Sequence, residues 1–202
     1  MCYFVLLIIS LLATHSLIFM GLFVNGNMDT PEFTKKKIID ILVAISHYIV
    51  ISALYGLVKN NFYSERIIEF IKIVCVISSA MNLYTFISQL PLFVRNLRAV
   101  HTKNGRFMVI SVLTGMFLSM AEIYFLLFML NENWFIVDTA ISNSVLKTAF
   151  EFVYYTFSVT ITYGGNGIEI VGIVPKIVQM AHILFFYLFA ADAILQLIKK
   201  EE

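Results

Sequence analysis

Tyr154-Tyr155-Thr156-Phe157-Ser158-Val159-Thr160-Ile161-Thr162-Tyr163-Gly164-Gly165-Asn166-Gly167 closes a helix-compatible stretch and then breaks it. From Val145 to Val159 the residues suit a helix, but one too short to cross a bilayer, which takes about 20 apolar residues. The Tyr163–Gly167 run ends that helix, because Gly and Asn accept backbone conformations closed to bulky residues. Four of the chain's nine glycines lie between Gly164 and Gly172. Inside a membrane, such irregular backbone is tolerated only where protein covers it or where it lines a water-filled cavity. A half-length helix running into a glycine-rich strand, with a full apolar span after it, has the outline of a re-entrant pore loop.

The sequence on either side predicts the membrane. The chain is 60% hydrophobic and 13% charged, with a mean hydropathy of +0.87. Soluble domains run at about 45–50% apolar and about 25% charged. Five stretches are long enough to span: residues 3–24, 38–58, 67–92, 107–130 and 177–198. The first reads as a retained span and not a cleaved signal, since Met1-Cys2-Tyr3-Phe4 has no charge and the apolar run is too long. The expected fold is all-α and integral to the membrane, with about five transmembrane helices and a re-entrant helix and loop before the last. It divides into a three-span N-terminal region, 1–106, and a module of outer helix, loop and inner helix, 107–202.

Lysines and arginines set the orientation. Lys35, Lys36, Lys37, Arg95, Arg98, Lys103, Arg106, Lys199 and Lys200 fall on one side of a five-span chain, against Lys59, Arg66, Lys147 and Lys176 on the other. This imbalance puts the protein in the cell membrane with the N-terminus outside, the C-terminus cytoplasmic and residues 131–176 facing outward. The formal net charge of +1 gives no global field for nucleic acid.

Carbonyls turned toward an axis can replace the hydration shell of a cation. Threonine hydroxyls add further oxygens, and the C-terminal end of a half-helix presents negative dipole. The run Ser158-Val159-Thr160-Ile161-Thr162-Tyr163-Gly164-Gly165-Asn166-Gly167 resembles the pore signature of the potassium-channel superfamily, which reads roughly S-V-T-x-T-T-V-G-Y-G-D. Laid on without gaps, Thr160, Thr162, Gly165 and Gly167 match, and Tyr154 and Tyr155 sit where the family's pore helix carries aromatics. Tyr163 replaces a threonine, Gly164 the valine and Asn166 the filter tyrosine. Ile168 stands where the family has aspartate, with Glu169 next. A register shifted by one aligns Thr162 with the innermost filter threonine and Gly164 with the first filter glycine, but puts Asn166 at the second. The gapless register keeps both glycines.

The resemblance covers about half the chain, and its specific part about ten residues. It implies a filter formed by Thr160, Thr162, Tyr163, Gly164, Gly165, Asn166 and Gly167. A monovalent cation, potassium by family type, would be held at Thr162, Tyr163, Gly164, Gly165 and Asn166. It also implies an outer helix in the fourth span, an inner helix starting near Pro175, and four copies around one pore.

Other polar residues are weighed by position. Glu122 lies inside the fourth span, where an ionisable residue is a functional hypothesis; it either supports the filter from behind the pore helix or reaches the interface. Asp192, in the last span, either faces the cavity or pairs at the interface with Lys199 and Lys200. Glu69 and Lys72 stand three residues apart, as a structural pair on one helix face. No span carries an arginine ladder, so voltage sensing of the familiar kind is not expected. Cys2 and Cys75 cannot build a disulfide framework or a cysteine metal site. His15, His47 and His182 fall in different spans, with no carboxylate or cysteine at ligand spacing. No H-E-x-x-H or G-x-S-x-G string occurs, so no enzyme is expected.

The function these readings favour is a cation channel subunit, conducting passively through a carbonyl-lined filter as a homotetramer in the lipid bilayer. No cofactor, small-molecule substrate or nucleic acid is implied. The alternative is a non-conducting accessory or sensor protein with a vestigial pore loop.

Overall fold

In the computed structural model the described residues are 31–59, 65–73, 76–77, 80, 84, 103–138, 144–161 and 167–198. The first expected span, the greater part of the third and the loop residues Thr162, Tyr163, Gly164, Gly165 and Asn166 lie outside them.

The chain is mostly helical. Helix α1 runs over Pro31–Lys59, with proline at its first position, where the missing N–H costs no hydrogen bond. Lys59 closes it, a cation at the negative end of the dipole. Helix α2 covers Lys103–Leu130, α3 Val145–Thr160 and α4 Ile173–Ile198. Three of the expected spans therefore lie within α1, α2 and α4, and the expected half-length helix is α3. Among the described residues one helix, α2, is long and apolar enough by length and composition to cross a membrane, over Leu113–Leu130. The apolar runs Ile45–Leu57 and Ile173–Leu188 are shorter.

The all-α expectation misses one feature. A 3₁₀ turn, Glu132–Trp134, leads into strand β1, Phe135–Val137, which pairs antiparallel with β2, Ile168–Ile170. The register is Phe135↔Ile170, Ile136↔Glu169 and Val137↔Ile168. The ladder gives partners to backbone groups that leave the helices, which buried or half-buried chain requires. Asn131 caps the turn by accepting from the Asn133 N–H. The Trp134 carbonyl accepts from both Val171 and Gly172, so the approach to α4 is pinned to the exit from α2. Gly172 is needed there, because a Cβ at that position would lie 2.5 Å from Trp134 Cγ. We call this end of the bundle the ledge.

Contacts fix the directions of the helices. His47 meets Glu122, Tyr48 and Tyr55 meet Phe125, and Tyr55 meets Phe128 and Glu132. Advancing along α1 advances along α2, so the two run parallel. Residues 65–73 are helical. Lys72 donates to the Leu130 carbonyl, so that stretch lies at the ledge. Helix α3 runs opposite to α2: Phe152 packs on Phe128 and Phe125, Tyr155 on Tyr124 and Phe157 on Phe117. Helix α4 runs with α3 and against α2, through Gln179 on Tyr155 and His182 on Tyr124.

The core is aromatic. Phe152, wholly buried, holds Phe125, Phe128 and Phe135 around it at 5.2–5.5 Å between ring centroids. Tyr48, Ile51, Leu54 and Tyr55 of α1 join the same core. It therefore crosses the expected division at residue 106.

Candidate functional site

Helix α3 starts near the ledge and ends inside the bundle. Its first residue, Val145, lies against Gly56, one turn before the end of α1; the nearest approach to a Cβ built there is 3.4 Å. The Tyr48 hydroxyl donates to the Ala149 carbonyl and ties the second turn of α3 to α1. At the far end, Thr160 Oγ1 lies 3.3 Å from His182 Nε2. His182 is nine residues into α4, about 14 Å from its start, and Tyr124 is six residues short of the end of α2, about 9 Å. The C-terminus of α3 thus sits roughly 9–14 Å below the ledge, between α2 and α4.

The threonine hydroxyls of α3 bond back to carbonyls four residues earlier. Thr148 Oγ1 donates to Ser144 O at 3.0 Å, Thr156 to Phe152 O at 2.8 Å and Thr160 to Thr156 O at 2.8 Å. This back-bonding lets threonine sit among apolar neighbours without an unmet donor. The Ile161 N–H closes the helix on the Phe157 carbonyl. The negative end of the helix dipole is left facing the glycine-rich segment.

Gly167 stands on the ledge. It adopts a left-handed conformation, φ 60°, and its carbonyl accepts from the Asp138 N–H at 3.0 Å, extending the β1–β2 ladder by one rung. Of the residues expected to form a filter, Thr160 is the last of α3 and turns its hydroxyl toward Thr156 and His182. Gly167 is the first on the ledge. Thr162, Tyr163, Gly164, Gly165 and Asn166 join them. Asp192 belongs to α4, and its side chain lies outside the description.

Glu122 is buried, and its Oε2 lies 2.8 Å from His47 Nδ1. Its hydrogen bond thus goes to α1, and the neighbouring hydroxyl of Tyr48 reaches α3. Its Oε1 has no hydrogen-bond partner among the described residues. Lys72 reaches the Leu130 carbonyl at 3.3 Å. Beside it a cavity of about 470 Å³ opens between α1, the 65–73 helix and the start of the ledge, with Tyr55, Lys59, Asn131 and Glu132 in its wall. Its charges have internal contacts: Lys59 lies 5.7 Å over the Tyr55 ring, and the Tyr55 hydroxyl donates to Glu132.

Residue spacing offers His47 and His182 no partners, yet both are buried and both join helices. The available signal was an ionisable residue within an apolar stretch. Their partners stand 75, 58 and 22 residues away, beyond any local spacing rule. No group of three or more His, Cys, Asp or Glu side chains that could hold a metal occurs among the described residues. Comparison of the chain with protein-family models, curated proteins and solved structures finds no match.

Proposed function

We propose that the chain is a subunit of a membrane cation channel in which the segment between α3 and β2 forms the ion path. One observation carries this reading. Thr160 is bonded at depth to His182, while Gly167, seven residues on, is bonded at the ledge to Asp138. Seven residues reach at most about 25 Å fully extended. They suffice for one short rise through the bundle, of the kind that turns successive carbonyls toward an axis. A half-helix aims its negative dipole at the foot of that rise.

The rest of the assignment follows from this reading. The ledge faces outward, the start of α1 and the end of α4 face the cytoplasm, and α2 and α4 are the outer and inner helices. Helix α4 exposes Ile173, Ile177, Met180, Leu184 and Tyr187, spaced alternately four and three residues apart. Helix α3 exposes Leu146, Phe150 and Phe157, and Ile161 is exposed just past its end. Apolar stripes exposed among the described residues suit helices that meet copies of themselves and lipid tails. Four copies would complete one axis, with a monovalent cation, potassium by type, at Thr162 to Asn166.

The alternative, a non-conducting accessory subunit, is favoured by the residues at 163, 164 and 166, which depart from the family's filter. Flux measurements separate the two. Purified protein in liposomes is expected to carry potassium or sodium, and to lose that flux in Gly165→Ala. Folded, tetrameric protein that passes neither ion would sink the channel reading, and a mass in detergent no larger than a dimer would favour the accessory one.

A further inference from the structure

We propose that His182 is a positioning residue that clamps the foot of the ion path to the inner helix through a one-way chain of hydrogen bonds. The inference rests on the pore reading above. His182 is buried, and its two ring nitrogens face different helices: Nδ1 lies 3.1 Å from the Tyr124 hydroxyl of α2, and Nε2 lies 3.3 Å from Thr160 Oγ1 at the end of α3. The ring is also wedged against Phe186, 5.0 Å between centroids.

The direction of each bond follows from counting protons. A hydroxyl has one proton. That of Thr160 goes to the Thr156 carbonyl at 2.8 Å, so Oγ1 can only accept from His182. Nε2 therefore carries a hydrogen. In a neutral ring Nδ1 is then an acceptor, and Tyr124 is its donor. The chain runs Tyr124 O–H to Nδ1, Nε2–H to Thr160 Oγ1, and Thr160 O–H to Thr156 O. It crosses all three helices of the proposed pore module at the level where α3 stops. One turn above, Gln179 donates to the Tyr155 hydroxyl at 2.8 Å and repeats the link between α4 and α3.

The consequence concerns regulation of the ion path. Any displacement of the inner helix at His182 pulls directly on Thr160, two residues before the first expected ion ligand, Thr162. The foot of the path and the inner helix move as one body, and Tyr124 holds both to the outer helix.

The test uses the full chain. Nitrogen-15 spectra of histidine-labelled protein at neutral pH, with His182 assigned by its disappearance in His182→Gln, are expected to show a neutral ring protonated on Nε2. In liposomes His182→Leu and Thr160→Val are each expected to lower potassium flux about tenfold, the scale set by a buried hydrogen-bonding group left without its partner. Because they break the same contact, the double variant should fall no lower than either single one. His182→Gln can keep an amide N–H toward Thr160, so it should hold flux within about threefold of wild type if the hydrogen bond, not bulk, matters.

A proton on Nδ1 overturns the clamp. So do losses that multiply in the double variant, or a conducting wild type whose flux is unchanged by His182→Leu. A wild-type protein that passes neither potassium nor sodium overturns the pore reading instead, and the clamp contact then stands or falls on the ring-nitrogen spectrum.

Discussion

His47 and Glu122 meet at 2.8 Å in the middle of the bundle, both buried and 75 residues apart in sequence. The contact joins α1 to α2 in the core, with the Tyr48 hydroxyl close by. Removing one member strands the other. His47→Ala is expected to destabilise the fold by about 2–3 kcal/mol, the cost of leaving a buried hydrogen-bonding group unmet. His47→Leu combined with Glu122→Leu should cost less than His47→Ala alone, because the buried carboxylate is removed together with its partner. Thermal unfolding in detergent measures both.

Gly172→Ala is expected to disturb the ledge. The new methyl would fall 2.5 Å from Trp134 Cγ, and Trp134 is held by its own carbonyl to Val171 and Gly172. Overpacking of this kind costs about 1–3 kcal/mol. Pairing the change with Trp134→Ala removes the clash, so the double variant should melt above Gly172→Ala alone.

Gly167 tests the backbone and not the side chain. At φ 60° an L-residue other than Gly or Asn pays about 1–2 kcal/mol. Gly167→Val should therefore lower the melting temperature, while Gly167→Asn should stay near wild type. Because the Gly167 carbonyl is engaged by Asp138, both variants are best compared also by hydrogen exchange at the Asp138 amide.

Phe152→Ala is expected to be the most damaging of the single core truncations. Phe152 is fully buried and touches Phe125, Phe128 and Phe135, so it joins α3 to α2 and to the ledge. Phe-to-Ala changes in cores cost about 3–5 kcal/mol. Phe152→Leu, which keeps most of the packed volume, should recover more than half of that loss in the same unfolding assay.

Local pattern carried the helices. The half-length helix is legible because Val145 to Val159 is helix-compatible, with no Gly or Pro before the glycine-rich run, and the helix forms over Val145–Thr160. The stretches at 38–58, 107–130 and 177–198 are legible by apolar run length for the same reason. The β1–β2 ladder was not, since each strand has three residues and draws its stability from a partner some 30 positions away. The roles of Glu122 and His182 were half legible: an ionisable residue in an apolar run demands a partner, but sequence spacing names partners only within one helix turn or two. Tyr48 shows the limit most sharply. It reads as one more apolar residue of a span, and it is the hydroxyl that reaches α3.

The parallel packing of α1 on α2 bears on how this protein can be divided. Helix α2 has α1 along one side and α3 along another, and the side covered by α1 includes Glu122. A fragment starting at residue 103 would keep α2, α3 and α4, but would turn that carboxylate and the flank of Phe125 to whatever surrounds the bundle. Among the described residues, the last hundred share one core with α1. Anything grafted in place of the N-terminal region must bring its own histidine, or its equivalent, to the same level.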